Sequence, residues 1–237
     1  MPWGGGVNFS ESMATHEGFC LDIADWELFP DRAIWWPSER TWIVTDVHLG
    51  KAAHFRKNGI AIPSAVNSSN LTRLFALFRR HPAKRLLVLG DLFHSSFNAE
   101  WDEFAAWVGE MRSLELLDEI RLVEGNHDVL PADVLDGAGI DHSEKWSLGP
   151  FDFVHDPKDA DFSPNSGRWL VYGHIHPAIR LQGKAKQSLR LPCWWLSSDG
   201  RLALPSFGSF TGSVVVKPGK KDRCWVTTGQ QVFSVGE

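Results

Sequence analysis

Cysteine is scarce: three residues in 237, Cys20, Cys193 and Cys224, far apart and odd in number. No disulfide framework is implied, and a reducing, cytoplasmic compartment is the expectation. No apolar run approaches the roughly 18 residues that a membrane-crossing helix needs, so no membrane partner is expected. Met1 to Ser10 carries neither the basic nor the apolar stretch of a secretory signal. With 43% hydrophobic and 22% charged residues, the chain is neither collagen-like, nor a coiled coil, nor disordered throughout. It is long enough to bury a large core. No linker or repeat divides it. Residues 1–18, with their Gly4-Gly5-Gly6 run, read as a flexible tail and 19–237 as one domain.

The formal net charge of −5 offers nucleic acid little, but the charge is unevenly spread. Lys51 to Arg85 holds eight basic residues and no acid. Ala99 to Asp161 holds seventeen acids against four bases, and Arg180 to Arg223 nine bases against two acids. Such blocks suggest an electropositive face on an acidic body, although charge runs are commonly plain solvated surface. Twelve tryptophans stand against one tyrosine, with pairs at Trp35-Trp36 and Trp194-Trp195. Exposed indoles stack bases, but core packing is the usual place for large aromatics and is the expectation.

Two apolar stretches flanking Pro30-Asp31-Arg32 predict a hairpin between Trp26 and Trp42. Leu71, Leu74, Phe75 and Phe78 predict a helix over 64–80, ended by Pro82. Trp101, Phe104, Ala105, Val108 and Met111 mark a second. Trp42–Thr45, Leu86–Leu89, Ile120–Val123, Phe151–Val154 and Trp169–Tyr172 read as strands, and Pro131 to Leu135 as the start of a short helix. After Ile179, short Val, Leu and Trp stretches alternate with Gly, Ser and Pro, as in antiparallel sheets. The order predicts an α/β (α+β) fold with two packed sheets and helices outside.

The residues just past each strand carry the chemistry. Trp42–Thr45 leads to Asp46-Val47-His48, Leu86–Leu89 to Gly90-Asp91, and Ile120–Val123 to Gly125-Asn126-His127-Asp128. Phe151–Val154 leads to His155, and Trp169–Tyr172 to Gly173-His174-Ile175-His176. The carboxyl-end rim of such a sheet is where sites form. Carboxylate, amide and imidazole together suit Mn²⁺, Fe²⁺ or Zn²⁺, and no Cys ligand points to a closed structural zinc site. Asp46 and His48, and likewise His174 and His176, are two apart, which in an extended turn puts both on one side. Asp46, His48, Asp91, Asn126, His155, His174 and His176 make seven ligands, too many for one tetrahedral ion. They suit two ions sharing a carboxylate, with Asp91 able to bridge, a clamp for displacement at phosphorus by a water of lowered pKa. The glycines allow tight turns close to ions or phosphate. His127, beside a ligand, is placed to protonate a leaving group, and Asp128 to orient its ring.

These motifs, in this order, resemble those of the calcineurin-like metallophosphoesterases. The resemblance implies a four-layer sandwich of two mixed sheets flanked by helices, with a dinuclear site at the strands' carboxyl ends. It implies Asp46, His48, Asp91 and His176 on one ion, Asp91, Asn126, His155 and His174 on the other, and His127 as the catalytic histidine. Many members read Gly-Asp-x-x-Asp in the second motif, where this chain has His94. Residues 46–56, 59–63, 90–95 and 204–212 are similar to the bacterial ligase-associated DNA damage response phosphoesterases. That subgroup implies a phosphodiesterase or endonuclease acting on DNA in repair, associated with a ligase and a helicase; two divalent ions are expected, manganese first, with zinc or iron as alternatives.

The leading expectation is therefore a DNA phosphodiesterase, with Arg56, Lys57 and His94 as substrate contacts and Arg73, Arg79 and Arg80 extending the basic track. Hydrolysis of a small nucleotide or a lipid-linked phosphate diester or pyrophosphate is the alternative. A lipid substrate calls for an apolar cap, and 142–149 is the only sizeable insertion on the rim. A metal-poor scaffold on the same fold would lack ligands that are all present here. A homo-oligomer is compatible with the sequence.

Overall fold

The computed structural model describes residues 19–21, 23–51, 65–94, 99–164, 166–183, 187–209 and 211–235. Arg56 and Lys57, like 1–18, lie outside them. Four strands open the chain, β1 (Phe19–Cys20), β2 (Glu27–Phe29), β3 (Ala33–Trp36) and β4 (Thr41–Val44). Helix α1 (Ala65–Arg80), β5 (Ala83–Leu89), α2 (Ala99–Ser113), β6 (Leu117–Val123), α3 (Ala132–Gly137) and β7 (Ile140–Ser143) follow. The second half is nearly all strand. It contains β8 (Lys145–Leu148), β9 (Phe151–Val154), β10 (Trp169–Tyr172), β11 (Pro177–Gln182), β12 (Ser188–Leu196) and β13 (Arg201–Ala203). Strands β14 (Val214–Val215), β15 (Arg223–Thr227) and β16 (Val232–Val235) complete it.

Two mixed sheets result. The first runs β1 to β7 in order, antiparallel to β4 and parallel from β4 to β7. The second runs β14-β11-β12-β13-β10-β9-β8, with β15 and β16 beside β12. Strand β5 shows how sequence separates the layers. Its side chains alternate: Leu86 and Val88 pack toward the helices, and Leu87 and Leu89 toward the second sheet. All four are fully buried, so the run carries no polar residue. Helices α1 and α2 cover the first sheet with Leu74, Phe78, Phe104 and Met111. The outer face of the second sheet is covered by irregular chain instead: Ala160 and Phe162, after a 3₁₀ turn at Pro157–Asp159, pack on Val154, Leu170 and Tyr172. That fourth layer contains no α-helix among the described residues.

Eight of the eleven tryptophans among the described residues are buried in the core. Trp26, Trp36, Trp194 and Trp225 fill the space between the sheets, and Trp26 stacks on Phe151 at 4.4 Å between centroids. Trp35 and Trp42 pack under α1. The stretch 142–149 is no lid: it carries the chain from β7 in one sheet to β8 in the other. No described helix is long and apolar enough to cross a membrane.

Candidate metal centre

Val44, Val88 and Leu122 lie in register across the first sheet, and Val154 opposite Tyr172 in the second. The strands therefore end level, and both sheets present their next residues on one rim. Backbone hydrogen bonds tie the rim together: Asp46 N to Gly90 O (3.0 Å), His48 N to Asp91 O (2.9 Å) and Gly173 N to His155 O (3.1 Å). The 204–208 segment closes it from the second sheet. Phe207 N donates to Thr45 O and Gly208 N to Asp46 O, and the Ser206 hydroxyl donates to Asp46 O.

The two-residue spacing works differently from the extended turn expected. Asp46, His48, Asp91, His174 and His176 all adopt left-handed backbone, φ between 46° and 64°. Asp and His tolerate this region better than most residues, but it is uncommon and costs energy. The glycines have a second use besides turning the chain. A Cβ on Gly90 would meet His155 Nδ1 at 2.2 Å, one on Gly125 would meet Asp91 Oδ1 at 2.4 Å, and one on Gly173 would meet Thr45 Oγ1 at 1.9 Å. Each glycine clears space for a residue of another loop.

The result is a cluster of converging donors. Asp46, His48 and His176 bring ligand atoms within 4.8 Å of one another, as do Asp46, Asp91 and His155. Asp91 faces both groups: Oδ2 lies 3.7 Å from His48 Nε2 and Oδ1 3.5 Å from His155 Nε2. Around His155 Nε2 stand Asn126 Oδ1 and His174 Nδ1, each at 3.2 Å. His155 Nδ1 is held by Leu89 O at 2.9 Å and His176 Nδ1 by Gly212 O at 2.8 Å, which turns both Nε2 atoms inward. All seven sequence-predicted ligand positions thus lie at this one rim.

These residues fit divalent ions. His48 Nε2 faces Asp46 Oδ1 at 3.9 Å and Asp91 Oδ2 at 3.7 Å, beyond hydrogen-bond reach, and buried donors and acceptors left this open are costly unless something binds between them. His176 Nε2 comes within 2.9 Å of Asp46 Oδ1. Burial pushes the His176 pKa down, but the Asp46 carboxylate outweighs it and the net shift is upward. For Asp46, burial pushes up, while His176, His155 and Thr45 bring it below the usual carboxylate range. The His48 imidazole is pushed down to about 3, chiefly by burial and then by the Lys51 charge. Such an imidazole is neutral, as a ligand must be.

His127 lies half-buried at the rim. Its backbone N donates to Asp91 Oδ1 at 3.0 Å, and its ring stacks with His94 at 5.3 Å, with the His48 ring 5.6 Å away. Asp128 does not orient that ring. Its oxygens accept from Gly125 N at 3.0 Å and Phe93 N at 3.2 Å, so it fixes the loop that holds Asn126 and His127. Lys51 was not singled out by sequence. Burial lowers its pKa, partly offset by Asp46 and Asp91, so its ammonium is close to the donors. Its position three residues after His48 was the available signal.

The basic block is largely spent elsewhere. Arg73 donates to Phe207 O and Asp31 O and lies 4.1 Å over the Phe207 ring. Arg85 pairs with Glu119 at 2.5 Å. Arg79 and Arg80 end α1 just before β5 begins, at the pole opposite the rim. Arg79 and Arg80 therefore do not extend a track from the metal rim, because the helix runs away from it; Arg73 lies beside the rim-closing segment, but its guanidinium is taken up by Phe207 O and Asp31.

The family model for calcineurin-like phosphoesterases matches residues 39–194. The chain belongs to that family. Among solved structures, nuclease MPE of Pseudomonas putida is 28% identical, covering 92% of this chain and 98% of its own, with a TM-score of 0.71. Yfce, a phosphoesterase from E. coli, is 16% identical over 81% of this chain and 95% of its own, with a TM-score of 0.39. No curated protein matches. Membership in the calcineurin-like family accounts for a divalent-metal site at this rim.

Proposed function

We propose that the protein is a nuclease that hydrolyses phosphodiester bonds in DNA. The observation that carries this is the likeness to nuclease MPE, which runs through nearly the whole of both chains. Asp46, His48, Asp91 and His176 would hold one divalent ion, and Asp91, Asn126, His155 and His174 a second, with manganese the first choice and zinc or iron alternatives. Such ions lower the pKa of the attacking water and neutralise charge on the phosphoryl oxygens. The chain's own residues do the rest. Asp91 spans both donor groups and keeps them at a fixed separation. His127, at the solvent edge, donates a proton to the leaving oxygen. His94, stacked on His127, limits how that ring turns and contacts the substrate. Asp128 holds the Gly125–His127 turn against Phe93. A role in DNA repair beside a ligase and a helicase, in the cytoplasm, belongs to this reading.

The test is manganese-loaded protein assayed side by side on bis-p-nitrophenyl phosphate, p-nitrophenyl phosphate, and single- and double-stranded DNA. Cleavage of DNA and of the diester, with little monoesterase activity, is expected. Diesterase activity with no DNA cleavage would overturn the nuclease assignment and favour a small nucleotide diester.

A further inference from the structure

Strand β12 is nine residues long, and only its second half lies within the main sheet. Trp195 pairs with Ala203, which pairs with Tyr172, the last residue of β10. Ser188 to Pro192 pair with β11 instead. The β11–β12 ribbon therefore continues past the level where the ligand-bearing strands stop. Arg190 stands five residues beyond Trp195, about 17 Å along the strand at the usual rise.

Arg180 and Arg190 are direct cross-strand partners on this ribbon. Alternation fixes their side. Trp194 and Leu196 pack into the space between the two sheets, whereas Leu191 and Cys193 pack outside with Ile179. Arg190 shares the parity of Trp194, so it and Arg180 project from the inner face. Below, that face meets the first sheet. Above the rim, the same face continues past the level at which the strands give way to the ligand loops. Both arginines are exposed, and neither pairs with a carboxylate among the described residues. Arg190 Nη1 reaches Ser213 O at 3.3 Å, next to Gly212, whose carbonyl holds His176. Like charges directly opposite on a sheet repel, so the pair costs stability unless an anion joins it.

We propose that Arg180 and Arg190 form a phosphate clamp that holds the nucleic-acid backbone one or more nucleotides away from the scissile phosphate. This rests on the nuclease reading and adds the surface that receives the strand. Planar guanidiniums suit bidentate contact with phosphate oxygens. The clamp reads no base, so it gives affinity without sequence preference.

The test is Arg180→Ala/Arg190→Ala, with Arg180→Lys/Arg190→Lys as the charge-retaining control. The ratio of kcat/KM on a single-stranded oligonucleotide to that on bis-p-nitrophenyl phosphate is measured from 50 to 200 mM salt. Two phosphate contacts on a single strand steepen the salt dependence by about 1.4 in slope, so wild type should lose about 7-fold more over that range than the alanine variant. The lysine variant should retain most of the slope. An alanine variant with the wild-type ratio and slope overturns the clamp, and so does one that loses both substrates in parallel. If wild type hydrolyses the small diester but no nucleic acid, the nuclease reading has failed. If it cleaves DNA and the variant matches it, only the clamp has failed.

Discussion

Two glycine-to-alanine substitutions should shift stability in opposite directions, and the structure says why. Gly173 precedes His174, and its φ lies outside the left-handed region. Alanine is therefore barred by space, not by backbone conformation. Its Cβ would lie 1.9 Å from Thr45 Oγ1 and 2.8 Å from Asp46 Oδ2, and both residues are fully buried. Thr45 Oγ1 lies 2.6 Å from Asp46 Oδ2 and 2.7 Å from Leu89 O, so it cannot rotate away without leaving a buried acceptor short. Overpacking costs about 1–3 kcal/mol, and an unsatisfied buried polar group another 1–3 kcal/mol or so. Gly173→Ala should thus lose about 2–6 kcal/mol. Gly109 sits on the exposed side of α2 with nothing within 4 Å of its would-be Cβ. Gly109→Ala should gain about 0.4–1 kcal/mol by restricting the unfolded chain. Urea unfolding of both proteins in chelator reads the stability, and metal content after reloading reads the site. Gly173→Ala should unfold earlier and bind less metal, while Gly109→Ala should unfold later with normal metal. A Gly173→Ala protein with the wild-type midpoint and full metal content would refute the claim that Gly173 exists to admit Thr45 and Asp46.

Asp91→Ala should abolish diester hydrolysis and lower bound metal, because the carboxylate faces both donor groups; atomic emission with a chromogenic assay checks it. His127→Ala should keep its metal and lose roughly 10²–10⁴ in kcat, the range for a general acid; equal loss of metal would make it a ligand instead. Burial raises the Asp128 pKa from 3.8 to about 7, against the Gly125 and Phe93 N–H groups that lower it. The folded metal-free protein then binds this proton more tightly than the unfolded chain, so the stabilisation is present below pH 4 and lost as pH rises through 7. Asp128→Asn has one acceptor fewer for the Gly125 and Phe93 N–H groups at every pH, but its stability relative to wild type should rise between pH 4 and 8, by on the order of 4 kcal/mol. A pH-independent difference between the two urea midpoints would contradict it.

The ligands were readable because each stands one to four residues past a short apolar run, and such runs are easily recognised when they are buried on both faces. Leu86–Leu89 followed by Gly90-Asp91 is the plainest case. The charge blocks were not readable in the same way. Counting cations from Lys51 to Arg85 could not show that Arg73 turns inward onto Phe207 or that Arg79 and Arg80 sit at the far pole. Position along an element, not composition, decides what a charge faces. Arg180 and Arg190 lay in a block with no evident tie to the site, because the tie is the register of β11 on β12. The role of Asp128 was missed for a related reason. Sequence adjacency to His127 suggested a ring partner, whereas its oxygens satisfy two backbone N–H groups.

The interlocking of the ligand loops explains why so much strain gathers on one rim. Five donors sit in left-handed backbone, at about 1–2 kcal/mol each, a large sum against the stability of an ordinary domain. No loop could hold that conformation alone. Here Asp46 N is fixed by the Gly90 carbonyl, the Gly90 backbone makes room for His155, and the Gly125 backbone makes room for Asp91. Gly173 admits Thr45, which anchors Asp46 and closes the circuit between the two sheets. Each donor is therefore positioned by a loop from a different strand, and movement of one requires movement of the next. A cage built this way keeps like-charged carboxylates and buried imidazoles facing one another before any cation arrives. The electrostatic part of that cost is offset when a cation binds, while the backbone strain is held by the interlocked loops, which favours a site that is rigid over one that forms around its ion.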